Sequence, residues 1–92
     1  PYAVVKNVGE AFCKSFKEEY DLNFTIFRFF NTYGPKQSTD FVMSRFIRMA
    51  LQGQDITIYG DGSQTRTFCY VDDNITATTN AFYRNQYVND IV

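Results

Sequence analysis

The chain has 92 residues, 45% of them hydrophobic, with seven Tyr and ten Phe; this excludes a disordered chain and allows one small domain or part of a larger one. Nine basic and ten acidic residues are interspersed for a net charge of −1, so neither a nucleic-acid stripe nor an acidic tail is present. There is no His, and Cys13 and Cys69 lack any metal-ligand spacing, which excludes a zinc site and a Ser-His-Asp triad within these residues. The two cysteines read as buried thiols of a cytosolic protein.

From Tyr2 to Tyr20, Val4, Val5, Val8, Ala11, Phe12 and Phe16 recur at three- and four-residue steps and predict a helix with one apolar stripe. Pro1 suits its first turn, and Gly9 within the stripe predicts close approach of another backbone. Tyr2 and Lys6 fall one turn apart at the stripe's edge, where an ammonium beside a phenol favours the phenolate. The same spacing also arises wherever two amphipathic residues edge a helix.

Phe24 to Phe30 is a nearly unbroken apolar run, expected as a central parallel strand buried on both faces. A turn composition, Asn31-Thr32-Tyr33-Gly34-Pro35, follows it. Ser38 or Thr39 is the expected cap of a second helix, with Asp40 near its positive end. Met43, Phe46, Ile47, Ala50 and Leu51 form its apolar face and Gly53 its stop. Ile56–Tyr59 and Thr65–Val71 are predicted strands around a β-turn at Gly60-Asp61-Gly62-Ser63, which lacks the glycine spacing of a dinucleotide loop. Asp72 or Asp73 then caps a third helix through Ile75, Ala77, Phe82 and Tyr83, and Ile91-Val92 opens another strand. Helices alternating with buried strands predict an α/β sheet. Asn23-Phe24-Thr25 and Asn74-Ile75-Thr76 match the glycosylation sequon by coincidence of a short pattern. No signal peptide opens the sequence, and no apolar run approaches the roughly 18 residues of a membrane span.

Two more residues are candidates for binding. Asn31 stands at a strand end, where its amide either meets a phosphate or sugar hydroxyl or closes its own turn. Arg66 leaves the glycine turn, where it either clamps a diphosphate or pairs with Asp61, Asp72 or Asp73.

Three stretches in order carry a resemblance: Pro1-Tyr2-Ala3-x-x-Lys6 with Gly9-Glu10, Arg28 through Pro35, and Ile58 through Asp73. Together they resemble the extended short-chain dehydrogenase/reductase family, in its nucleotide-sugar epimerase, dehydratase and decarboxylase branch. The likeness covers nearly the whole chain.

The resemblance implies a piece of a Rossmann-type doubly wound parallel sheet, residues 1–36, followed by part of a smaller substrate-binding α/β region, residues 37–92. It implies NAD as cofactor and a nucleotide-sugar as substrate. Tyr2 would be the general base, and Lys6 would hold the nicotinamide ribose and the low pKa of Tyr2. Phe30 and Tyr33 would line the cofactor or sugar pocket, Asn31 and Arg66 would hold the diphosphate, and Tyr59 would lie near the nucleobase.

A cytoplasmic homodimer, formed through the helix that carries Tyr2, belongs to the same expectation. The family's glycine-rich phosphate loop is expected upstream of Pro1 and its later strands beyond Val92, so these 92 residues alone are expected to be inactive and not to bind NAD. The turn at Asn31 and the run from Gln64 to Val71 look most like UDP-glucuronate decarboxylases and related epimerases. The short Lys36–Asp40 connection departs from the decarboxylases and favours 4-epimerisation, with decarboxylation, 4,6-dehydration and a non-catalytic interaction module as alternatives.

Overall fold

Helix α1 spans Tyr2–Tyr20, as its periodicity predicts. In a computed structural model describing residues 1–92 it is followed by β1 (Thr25–Ile26), β2 (Thr32–Tyr33), α2 (Val42–Leu51), β3 (Cys69–Tyr70), α3 (Val71–Tyr83) and β4 (Asp90–Ile91). Both strand pairs are parallel, β1 with β4 and β2 with β3, so the chain is α/β with parallel strands. The chain divides into two compact units, Pro1–Arg28 with Ala77–Val92, and Phe29–Thr76.

In the first unit, Pro1 stands just before α1 and its carbonyl accepts from the Val5 N–H at 3.0 Å. The helix ends at Asp21, which takes a left-handed conformation (φ 54°) that a short polar side chain tolerates better than most. Lys17, in the last turn, donates to Asp21 Oδ1 at 2.6 Å and Asn23 Oδ1 at 3.0 Å, and this holds the Asp21 carboxyl below its usual range. Strand β1 aligns Thr25 with Asp90 and Ile26 with Ile91. Backbone bonds extend the pairing on both sides, from the Asn89 N–H to the Phe24 carbonyl (2.6 Å) and from the Arg28 N–H to the Val92 carbonyl (2.8 Å).

The expected strand from Phe24 to Phe30 is therefore corrected to a short ladder, half-buried rather than buried on both faces. A parallel ladder forms only where a partner lies alongside, and the pairing here sets Asn89–Val92 beside Phe24–Arg28. Phe29 and Phe30 are exposed.

In the second unit, Thr32 aligns with Cys69 and Tyr33 with Tyr70, so part of the expected turn is strand. Asn74 donates to Thr32 Oγ1, Gln37 to the Thr32 carbonyl (2.8 Å), and Ser44 to Gln37 Oε1 (2.8 Å). This chain of polar contacts ties α2 and the first turn of α3 to β2. Gly34 packs so tightly on Val71 that an added Cβ would lie 2.5 Å from Val71 Cγ1.

Helix α2 is capped by neither Ser38 nor Thr39. It starts at Val42 with Phe41 in the cap position and no side-chain cap, and Ser38 Oγ is taken up by Asp40. Its end follows expectation. Gly53 (φ 67°) lets its own N–H reach the Ala50 carbonyl and the Gln54 N–H reach the Met49 carbonyl.

Ile56–Tyr59 forms no ladder, since no neighbouring backbone pairs with it, and of Thr65–Val71 only Cys69 and Tyr70 are strand. The turn between them is as expected, with Gly60 and Gly62 both at φ 75° and Asp61 Oδ1 accepting from the Ser63 N–H and hydroxyl. Asp72 and Asp73 are not caps. Val71 already opens α3 and places both carboxylates in its first turn, where the helix dipole favours them.

The apolar stripes exist but are largely bare. Ala81 is buried, whereas Val4, Val5, Val8, Phe12 and Phe16 of α1 remain 47–67% exposed. Gly9 has nothing within 4 Å of where a Cβ would stand, so the close approach expected there is absent. Cys13 and Cys69 are free and half-buried rather than buried.

Candidate functional site

One turn of helix brings Tyr2 and Lys6 together, as spacing alone requires. The Lys6 ammonium lies over the Tyr2 ring, 5.2 Å from its centroid, a cation–π contact. Both residues are exposed and neither is tied to a carboxylate. Glu10, one further turn along, is occupied elsewhere. Its two oxygens accept from Arg28 Nε and one terminal nitrogen, each at 2.7 Å. That fork holds the Glu10 carboxyl below its usual range and pushes the Arg28 guanidinium up, and it fastens the helix to the segment leaving β1. The helix face thus presents a phenol and an ammonium that can donate hydrogen bonds, with the carboxylate one turn away already engaged.

The second unit contains a cavity of about 860 Å³ in which Asn31, Tyr59 and Arg66 all take part. Asn31 is far from the other two in sequence and is brought to them by the pairing of β2 with β3. Asn31, at φ 38°, does not close its own turn. Its Nδ2 donates 3.0 Å to the Thr67 carbonyl and its own carbonyl accepts from the Cys69 N–H, which draws the Arg66 segment alongside. Arg66 donates 2.8 Å to the Thr65 carbonyl and pairs with none of Asp61, Asp72 or Asp73. Gln64 fixes the Tyr59 backbone by donating 2.9 Å to its carbonyl.

Tyr33 also faces this cavity, packed edge-on to Phe68 at 6.5 Å and tilted on Tyr70 at 5.5 Å. Phe30 is not among the lining side chains and is 69% exposed. A more open depression of about 430 Å³ lies on the Lys36, Ser44 and Arg48 side of α2 and contains none of the candidate residues.

Arg45 also lines the larger cavity and was not singled out by sequence. Its guanidinium sits over the Tyr59 ring, 5.8 Å from the centroid. Its position offered a signal: Val42, Arg45, Phe46 and Met49 follow one helical stripe, so Arg45 interrupts an apolar face.

The sequence model of the family described as NAD dependent epimerase/dehydratase matches residues 1–90. A Bacillus subtilis protein described as an uncharacterized UDP-glucose epimerase is 36% identical over the whole chain. The UDP-N-acetyl-alpha-D-glucosaminuronate decarboxylase of Bacillus cytotoxicus is 46% identical over 84% of it. The crystal structure of UDP-glucuronic acid 4-epimerase from Bacillus cereus in complex with NAD superimposes with a TM-score of 0.89 at 35% identity, covering all of this chain and 30% of that one. The chain spans 29% and 25% of the length of the two sequence relatives. With parallel α/β architecture, three motifs in order and a match across almost every residue, the chain belongs to the NAD dependent epimerase/dehydratase family.

Proposed function

We propose that the protein carrying this chain is an NAD-dependent nucleotide-sugar 4-epimerase acting on a UDP- or dTDP-sugar. The observation that carries the reading is the cavity in which Asn31, Tyr59 and Arg66 meet, a polar amide and a guanidinium beside aromatic rings. Such a lining suits a diphosphate joined to a flat base and a sugar. The UDP-sugar names of the relatives support the same substrate class.

In this reading Tyr2 takes the proton of the sugar C4 hydroxyl and returns it after the keto sugar has turned its other face. Lys6 holds the ribose diol of the cofactor, its ammonium lying 5.2 Å from the centroid of the Tyr2 ring. NAD, held at its ribose by Lys6, would supply the hydride acceptor and donor for C4. Asn31 and Arg66 hold the diphosphate so that C4 stays in reach, Tyr59 lies by the base, and Phe30 by the cofactor. The proposal includes a cytoplasmic homodimer; no helix here is long and apolar enough to cross a membrane.

Decarboxylation of a UDP-uronate is the second reading, favoured by the 46% identity to a UDP-sugar decarboxylase. It shares the C4 oxidation and differs in losing CO₂ from the keto sugar. Incubating the full-length protein and NAD with a panel of UDP- and dTDP-sugars separates the readings. A C4 epimer is the expected product, CO₂ release selects the decarboxylase, and neither product with any sugar removes the catalytic reading in favour of an interaction module.

A further inference from the structure

Arg45 is half-buried, yet no carboxylate pairs with it. The cavity's acidic side chain, Asp40, accepts from Ser38 Oγ at 3.1 Å. A partly desolvated guanidinium without an anion is costly unless something else compensates, and the Tyr59 ring supplies only part of this. Arg66 enters the same cavity from the strand side with its charge also unpaired. Arg45 enters from α2. The cavity thus presents two guanidiniums on separate elements against one engaged carboxylate, flanked by the rings of Tyr33, Tyr59 and Phe68. Two fixed positive charges match a ligand bearing two adjacent phosphates.

From this arrangement we infer that Arg45 is a second phosphate-binding residue of the cavity, gripping the diphosphate of a nucleotide ligand together with Arg66. The Tyr59 ring keeps the guanidinium inside the cavity before the ligand arrives, which reduces the side-chain entropy lost on binding. The inference rests on the nucleotide-sugar reading above.

The test is calorimetric titration of the full-length protein with UDP and, separately, with uridine, which has the base and ribose but no phosphate. Arg45→Ala is expected to weaken UDP binding by about 10- to 100-fold, the range of a lost charge-assisted hydrogen bond. Uridine binding should stay within about twofold, because Arg45 contributes through phosphate. Arg45→Lys keeps a charge but not the planar fork, and should fall between wild type and Arg45→Ala. It also serves where the alanine variant fails to fold.

UDP affinity unchanged in both Arg45 variants but reduced in Arg66→Ala would overturn the role of Arg45 and leave the nucleotide-sugar reading standing. Equal loss for UDP and uridine would overturn it too, since that marks a structural effect. Wild-type protein that binds no UDP would overturn both.

Discussion

The two units of the chain differ in the groups they present. The first carries a phenol and an ammonium on a bare helix, with Glu10 locked by Arg28. The second carries a cavity with two unpaired guanidiniums and aromatic walls. One has groups suited to moving a proton, and the other has groups suited to holding an anion. The contrast extends to what orders each group. Tyr2 and Lys6 need only one helical turn, whereas Asn31 meets Arg66 through the pairing of β2 with β3.

If this division is right, damage to the two units should differ in kind. Tyr2→Phe in the full-length protein should lower turnover by roughly 10²- to 10⁴-fold, the span of a lost acid–base group, while NAD remains bound. Retained turnover would remove Tyr2 from its proposed role. Arg66→Ala should instead raise the dissociation constant for the nucleotide-sugar by about 10- to 100-fold. Unchanged affinity would count against the diphosphate grip.

Gly34→Ala forces a methyl into Val71, a branched and stiff neighbour, and should cost about 1–3 kcal/mol of stability in a denaturant melt. A neutral result would mean that the β2–α3 junction yields more easily than its packing implies.

The smallest effect belongs to Glu10. Its carboxyl is held below the ordinary 4.5 chiefly by the hydrogen bonds from Arg28, so the pair's stabilisation is present above that value. It is lost as pH falls through the lower folded value. Glu10→Gln should therefore flatten the acid limb of a stability-against-pH curve, and an unaltered limb would show that the fork contributes nothing.

What the residues revealed in advance follows the range of the forces involved. Helix α1 and the Tyr2–Lys6 pair were legible because periodicity is local, as was the Gly53 stop, where a left-handed φ is needed. The β1 ladder was not. Phe24–Phe30 looks like a long buried strand, but which of its residues pair depends on Asp90–Ile91, a segment distant in sequence that its own composition cannot report. Ile56–Tyr59 failed for the same reason, extended without a partner. The caps were misplaced because Ser38 spends its hydroxyl on Asp40 and Val71 turns directly from strand into helix. At the site, Asn31 and Arg66 stood out through their motifs, whereas Arg45 was hidden among the apolar residues of α2. Its meaning depends on the Tyr59 ring opposite it, a neighbour that only folding supplies.

The two parallel ladders bear on how the chain assembles. Each joins a residue before α2 to one well after it, Thr32 to Cys69 and Thr25 to Asp90, so no hairpin can nucleate either pairing. The helices can form from neighbouring residues alone, but each ladder must first close a long loop and meet its entropy. Ladder formation should be the slow event in refolding, and a nick in the loop at Gly60–Gly62 would remove the covalent tether for both pairings at once.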